Sequence, residues 1–129
     1  MHTHIKDPAA FFLALGDMHD ARFHVRVNQS DETLMIDVDD IYTSFLDLPV
    51  YPGKQNSTFT FFDVENICLD YAVEDSINCR IYDIAIKSEK DSRRDTFTMP
   101  ISPGGRLVFD FSTVRRDESS LDLSSQQCA

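Results

Sequence analysis

Three groupings of residues in this 129-residue chain have types and spacing that could do chemistry. They are the Met18-His19-Asp20 stretch, the pair His24 and Asp37, which strand alternation places opposite each other, and the adjacent carboxylates Asp39 and Asp40. A His-Asp dipeptide serves metal-dependent phosphohydrolases, but there it sits on helices and needs further His and Asp ligands from other helices. Here it enters a strand, and the remaining histidines are His2, His4 and His24. A histidine and a carboxylate that cap the start of a strand by hydrogen bonding explain the dipeptide better. A metal held by His19, Asp20, His24 and Asp37 is geometrically conceivable, yet no ligand spacing supports it. A cross-strand ion pair accounts for His24 and Asp37 without a metal.

Nucleophilic catalysis needs a Ser, Cys or Thr held by a base beside an oxyanion hole, and the chain has no G-x-S-x-G and no cysteine with a histidine near it in sequence. Its four glycines leave little scope for a phosphate or cofactor cradle, and Gly104-Gly105 ends a hairpin and opens no helix. No catalytic residue, cofactor or metal ligand is therefore assigned. Cys68, Cys79 and Cys128 are an odd number without zinc or disulfide spacing, so Cys68 and Cys79 are read as small packed hydrophobes in a reducing cytoplasm. No apolar run reaches the roughly 20 residues of a membrane span.

The elements that must position these groups start with Ala21 to Asp40, the stretch around which the chain is organised. Phe23, Val25 and Val27 alternate with Arg22, His24 and Arg26; Leu34, Ile36 and Val38 alternate with Met35, Asp37 and Asp39. Period two in both halves predicts a hairpin with its turn centred between Ser30 and Asp31. Val27 then opposes Leu34, Val25 opposes Ile36 and Phe23 opposes Val38. A slip of one residue would set apolar side chains against charged ones, so the pattern selects this register.

Upstream, Asp7-Pro8 is an N-cap followed by proline at the first helical position, and Gly16 is a stop, which gives a short helix over Ala9 to Leu15. Downstream, Ile41, Phe45 and Leu48 recur at helical spacing and favour a helical turn capped by Asp40, while Ile41 to Phe45 could equally extend the strand. Pro49 and Pro52-Gly53 then impose a long loop pinned by Leu48, Val50 and Tyr51. Further strands are expected at Ser57 to Asp63, Asn66 to Tyr71, and Ile81 to Lys87 with Tyr82, Ile84 and Ile86 inward. Glu74 to Ser76 reads as a turn and Ser88 to Asp95 as a charged loop. A last hairpin pairs Phe97 with Phe111, Met99 with Phe109 and Ile101 with Leu107 around Pro103-Gly104-Gly105, with positive φ at Gly105. Pro100 is its misfit, implying an edge, a bulge or an end to pairing. The fold expected is mainly β (α+β at most): one domain over residues 1–116, an antiparallel sheet of six to eight strands in a sandwich or open barrel, one short N-terminal helix, and a disordered tail over 117–129.

Charge is the strongest functional signal. The net charge is −10, and residues 27–75 hold eleven acids against Lys54 alone, whereas the flanking stretches are balanced. Such a surface repels nucleic acid and anionic membranes and speeds encounter with basic proteins, although acidity also serves solubility alone. The order of the pieces resembles a group of small uncharacterised bacterial mainly-β proteins and is similar in outline to the toxin-neutralising immunity protein 50 families. The shared elements are His19-Asp20-Ala21, Asp39 to Gly53, Thr58 to Val64, Ile81 to Ile86 and Gly104 to Phe111. That resemblance implies a mostly β domain that binds a toxin, and brings no catalytic residues. The expected function is a non-enzymatic module docking a basic protein through Asp37, Asp39, Asp40 and Asp47. The alternative is an enzyme or small-molecule binder with a pocket between the sheet and the 48–57 loop, near His19 and Tyr51. Self-assembly through an exposed edge strand near Met99 is a third expectation.

Overall fold

The computed structural model describes residues 2–71, 79–88 and 92–118. Two antiparallel sheets face each other. The first has the order β1 (His2–His4), β10 (Thr113–Glu118), β4 (Ser57–Phe62), β3 (Thr33–Val38), β2 (Phe23–Asn28). The second has the order β5 (Glu65–Tyr71), β9 (Gly105–Phe111), β8 (Asp95–Ser102), β6 (Arg80–Ile81), with β7 (Ala85–Ser88) also on β8. This is the expected mainly-β sandwich, with more strands than the six to eight anticipated.

The β2–β3 hairpin has the predicted register, with Phe23 opposite Val38, Val25 opposite Ile36 and Val27 opposite Leu34. Helix α1 (Pro8–Ala14) also forms as read: the Asp7 side chain accepts from the Ala10 N–H at 3.1 Å, and Gly16 has φ 64°. Because seven residues cannot hold a helix in water, α1 depends on docking. Its Phe12 ring lies 5.2 Å from Phe59 of the first sheet and 6.2 Å from Phe97 of the second, closing one end of the core. Between the sheets Phe61 sits among Phe97, Phe109 and Phe111 at 4.9 to 5.1 Å, edge to face, the arrangement that aromatic quadrupoles favour.

Several expectations are corrected. In the last hairpin Phe97 opposes Phe109 and Met99 opposes Leu107, a slip of two residues from the anticipated pairing. Two residues preserve every side chain's face, so alternation could not distinguish the registers. The loop is Pro103-Gly104, entered through a cis Ser102–Pro103 peptide, and Gly105 has φ 102°. Met99 is wholly buried on β8 between β9 and the β6–β7 pair, so no exposed edge exists there. Opposite Pro100 the Ile81 to Lys87 strand breaks into β6 and β7, and Tyr82 instead donates its N–H to the Pro100 carbonyl at 3.0 Å. A residue without an N–H cannot continue a ladder, and the break turns Tyr82 outward while Ile81 and Ile84 are buried. β10 runs through Glu118 in the middle of the first sheet, so the strand passes the boundary set at 116, and His2–His4 pairs with it as an edge strand. The rest of the 117–129 stretch and the Glu74 to Ser76 turn lie outside the described residues, as do 89–91 of the charged loop. Cys79 is buried as read, but Cys68 is exposed.

Candidate functional site

Strands β3 and β4 are neighbours in the sheet, yet the chain between Val38 and Ser57 is far longer than the 2 to 5 residues of an ordinary hairpin loop. Connections of this length without regular structure are characteristically functional. Asp40 fastens its base. The carboxyl group is 8% exposed; Oδ1 accepts from the N–H groups of Tyr42 (3.0 Å) and Gln55 (3.1 Å), and Oδ2 accepts from the Tyr51 hydroxyl (2.6 Å). Donation to Asp40 pushes the Tyr51 phenol from 10.0 up to about 12, with desolvation and Asp39 adding to it. Ile41 N–H to the Gln55 carbonyl (3.0 Å) and Lys54 to Asp39 (3.0 Å) complete the closure.

Beyond the base the chain folds through successive turns. Phe45, Leu46, Leu48 and Tyr51 each donate an N–H three residues back, with a 3-10 turn over Thr43–Phe45. This replaces the predicted helical turn: Ile41 is buried, but Leu46, Leu48 and Val50 stand 54%, 51% and 70% exposed. Leu48 and Val50 therefore do not pin the loop; Tyr51 does. Ser44 ties it to the N-terminal turn, its Oγ donating to the Gly16 carbonyl (3.0 Å) and accepting from the His19 N–H (3.0 Å). A Cβ on Gly16 would lie 2.8 Å from that of Ser44, so glycine is needed for space as well as for its positive φ. The outcome is an apolar tip, carrying the exposed Asp47, held on a hydrogen-bonded frame.

The four predicted docking carboxylates do not form one face. Asp37 is 5% exposed, bound by both Arg26 nitrogens Nε and Nη2 at 2.8 Å and by Thr58 Oγ1 at 2.6 Å. Arg26, diagonal to Asp37, takes the place expected of His24, because a guanidinium fork reaches and grips both oxygens while an imidazole does not. Asp40 is consumed by the loop base and Asp39 by Lys54. Asp47 alone of the four stands in solvent. His19 donates its Nδ1–H to the Tyr82 carbonyl at 2.6 Å and packs edge-on against the Tyr82 ring, a fastening between the N-terminal turn and the β6–β7 break. With Tyr51 turned to Asp40, the predicted His19–Tyr51 pocket has neither of its walls free. Among the described residues no three His, Cys, Asp or Glu side chains gather as a metal ion would need, and no helix is long and apolar enough to cross a membrane.

A second feature escaped the sequence reading. Asp17 sits in a run of left-handed residues, Gly16, Asp17, Met18 and Asp20 at φ 64°, 57°, 53° and 70°. Its carboxyl group is pushed from 3.8 up to about 6, first by partial burial and then by a hydrogen bond and repulsion from Asp83. It borders a cavity of 220 Å³ between α1 and β7, walled by Ala9, Phe12, Leu13, Ile84, Ala85 and Ile86. The only local signal was Gly16-Asp17, since Asp83 lies in the break between β6 and β7, which could not be placed from sequence. The exposed leucines had a better signal: they lie between a turn and two prolines, where no strand could cover them.

The chain matches no known protein family, no curated protein and no solved structure. Function must be argued from these contacts alone.

Proposed function

We propose that this chain is a non-enzymatic protein-binding module that presents its 41–56 loop to a basic partner, in the manner of an immunity-type inhibitor. The single observation that carries the reading is the exposure of Leu46, Leu48 and Val50 on a loop whose base is closed by the buried Asp40. Large apolar side chains held on an ordered frame lose little freedom on binding, which is how anchor residues work. The partner's sign follows from the eleven acids against one lysine in residues 27–75, with Asp47 at the tip itself.

The test is parallel capture from the source lysate by wild-type protein and by a Leu46→Ser/Leu48→Ser/Val50→Ser variant, then association kinetics with the protein so identified. Expected is a basic protein held by wild type and lost by the variant, with an association rate that falls as salt rises. Identical capture by both proteins, or a rate indifferent to salt, removes the reading. Small-molecule binding is the second reading, and the 220 Å³ cavity beside Asp17 favours it at a place away from the 48–57 loop. Ligand-induced NMR shifts confined to Ala9, Leu13 and Ile86 would support it.

A further inference from the structure

Helix α1 and strand β7 line a hollow of 220 Å³ between them. Ala9, Phe12 and Leu13 recur at helical spacing and so share one side of α1. Ala9 and, on β7, Ala85 both end at a methyl group, and the space is what those two short side chains leave unfilled. The floor is apolar, with Phe12 1% and Ile84 6% exposed. The lining carries one ionisable side chain, Asp17.

The Asp17 carboxyl group is hydrogen-bonded to that of Asp83, whose Oδ1 also accepts from the Ile84 N–H at 2.9 Å. Among the described residues no Lys, Arg or His pairs with either acid. Elsewhere the acids are answered: Asp37 has Arg26, Asp39 has Lys54, and Asp40 has three donors. Two adjoining carboxyl groups without a cation are a costly arrangement, and Asp17 rises to about 6 through its partial burial first and Asp83 second.

The walls select what can join the pair. An anion is repelled, and a metal ion finds too few oxygen ligands, since among the described residues no three His, Cys, Asp or Glu side chains gather. A quaternary ammonium has no donor for the carboxylates, and a guanidinium would leave most of its N–H groups against an apolar wall. A primary ammonium has one donor for each carboxylate and another for water. An apolar cavity of about 150 Å³ accepts benzene, so this hollow has room for a chain of about five carbons and its nitrogen. We infer that the α1–β7 hollow binds a primary alkylammonium group, its nitrogen donating to Asp17 and Asp83 and its chain lying along Phe12 and Ile84. The inference rests on the small-molecule reading given above and supplies its ligand class. A pair of acids that costs the free protein stability at pH 7 is offset when the cation arrives.

The test is an NMR titration of the full chain at about 0.15 M salt, which screens the diffuse attraction of a protein of net charge −10 for any amine. The probes are n-pentylammonium chloride, 1-pentanol and sodium pentanoate, which share a chain and differ in head group. Expected are saturable shifts at Ala9, Asp17 and Ile86 with pentylammonium, binding at least about tenfold weaker with pentanol, and none with pentanoate. Asp17→Asn should weaken pentylammonium at least about tenfold and pentanol far less. If that variant fails to fold, Asp83→Asn takes its place, since it keeps an acceptor for the Ile84 N–H. Pentanol or pentanoate bound as tightly as pentylammonium, or pentylammonium indifferent to the variant that folds, overturns the ammonium and leaves the hollow a small-molecule site. Silence from all three probes overturns both. Nα-acetyl-lysine N-methylamide separates the sources of the group: saturation at the same residues supports a lysine side chain, and silence beside bound pentylammonium supports a free amine, the inference standing in either case.

Discussion

Asp40 precedes the 3-10 turn over Thr43–Phe45 and Asp17 lies within another over Gly16–Met18; Ser44 stitches the two turns together, and the two carboxyl groups meet opposite treatment. Asp40 is almost wholly buried and receives three donors; Asp17 is partly exposed and receives a second carboxyl group, Asp83. The difference teaches that a carboxylate is a fastening when backbone N–H groups converge on it and a source of tension when another acid does. Local acidity of the sequence decides neither. Only the base of the 41–56 loop is organised by its acid; at the N-terminal turn the acids push apart and the hydrogen bonds of Ser44 and His19 hold the backbone.

Removal of the fastening should have the largest effect. Asp40→Ala strands two backbone N–H groups and a hydroxyl, and is expected to cost about 3 kcal/mol in denaturant unfolding. Limited proteolysis should then cut within the loop. A loss no larger than that of a surface alanine would break the contrast. Asp37 extends it to the outer face of the first sheet: Arg26→Ala should cost about 2 kcal/mol, because the buried carboxylate keeps only Thr58 as a side-chain donor. Pairing it with Asp37→Val should recover part of that loss, which a double-mutant cycle would read.

Smaller effects sharpen the comparison. Tyr51→Phe should cost about 1 kcal/mol and remove a phenol that titrates near 12, and in Asp40→Ala the Tyr51 phenol should fall back toward 10.0. At Asp17 the sign is opposite to that of a salt-bridged aspartate. Its folded pKa is raised, so the stability that protonation lends is complete below 3.8 and is lost as pH rises through about 6. Asp17→Asn, which tolerates the left-handed backbone, should flatten unfolding stability over that window and raise it at pH 7, by at most about 1 kcal/mol because the partly exposed group is screened.

Alternation made much of the fold legible. Strict period two at Phe23 to Val27 and Leu34 to Val38 admitted one register, and Asp7-Pro8 with Gly16 bounded the helix. The same rule was blind to the two-residue slip between Phe97 and Phe109, because side chains keep their face when a strand moves by two. It also placed Tyr82 inward, since the effect of Pro100 is exerted on the neighbouring strand and not on its own. In the candidate site Asp47 was legible as exposed; Asp37 and Asp40 were not legible as buried, because their donors Arg26, Thr58, Gln55 and Tyr51 come from positions as many as 21 residues away.

What the amino-acid order determined by itself was local: which stretches are strands, which side of each is apolar, where the helix starts, and that the negative charge gathers between residues 27 and 75. What the tertiary structure decided was which of those charges remain in solvent and which apolar side chains stay uncovered. The physical reason is that alternation and capping act between neighbours in the chain, whereas the burial of a carboxylate and the exposure of Leu48 or Leu69 depend on which distant strands arrive beside them.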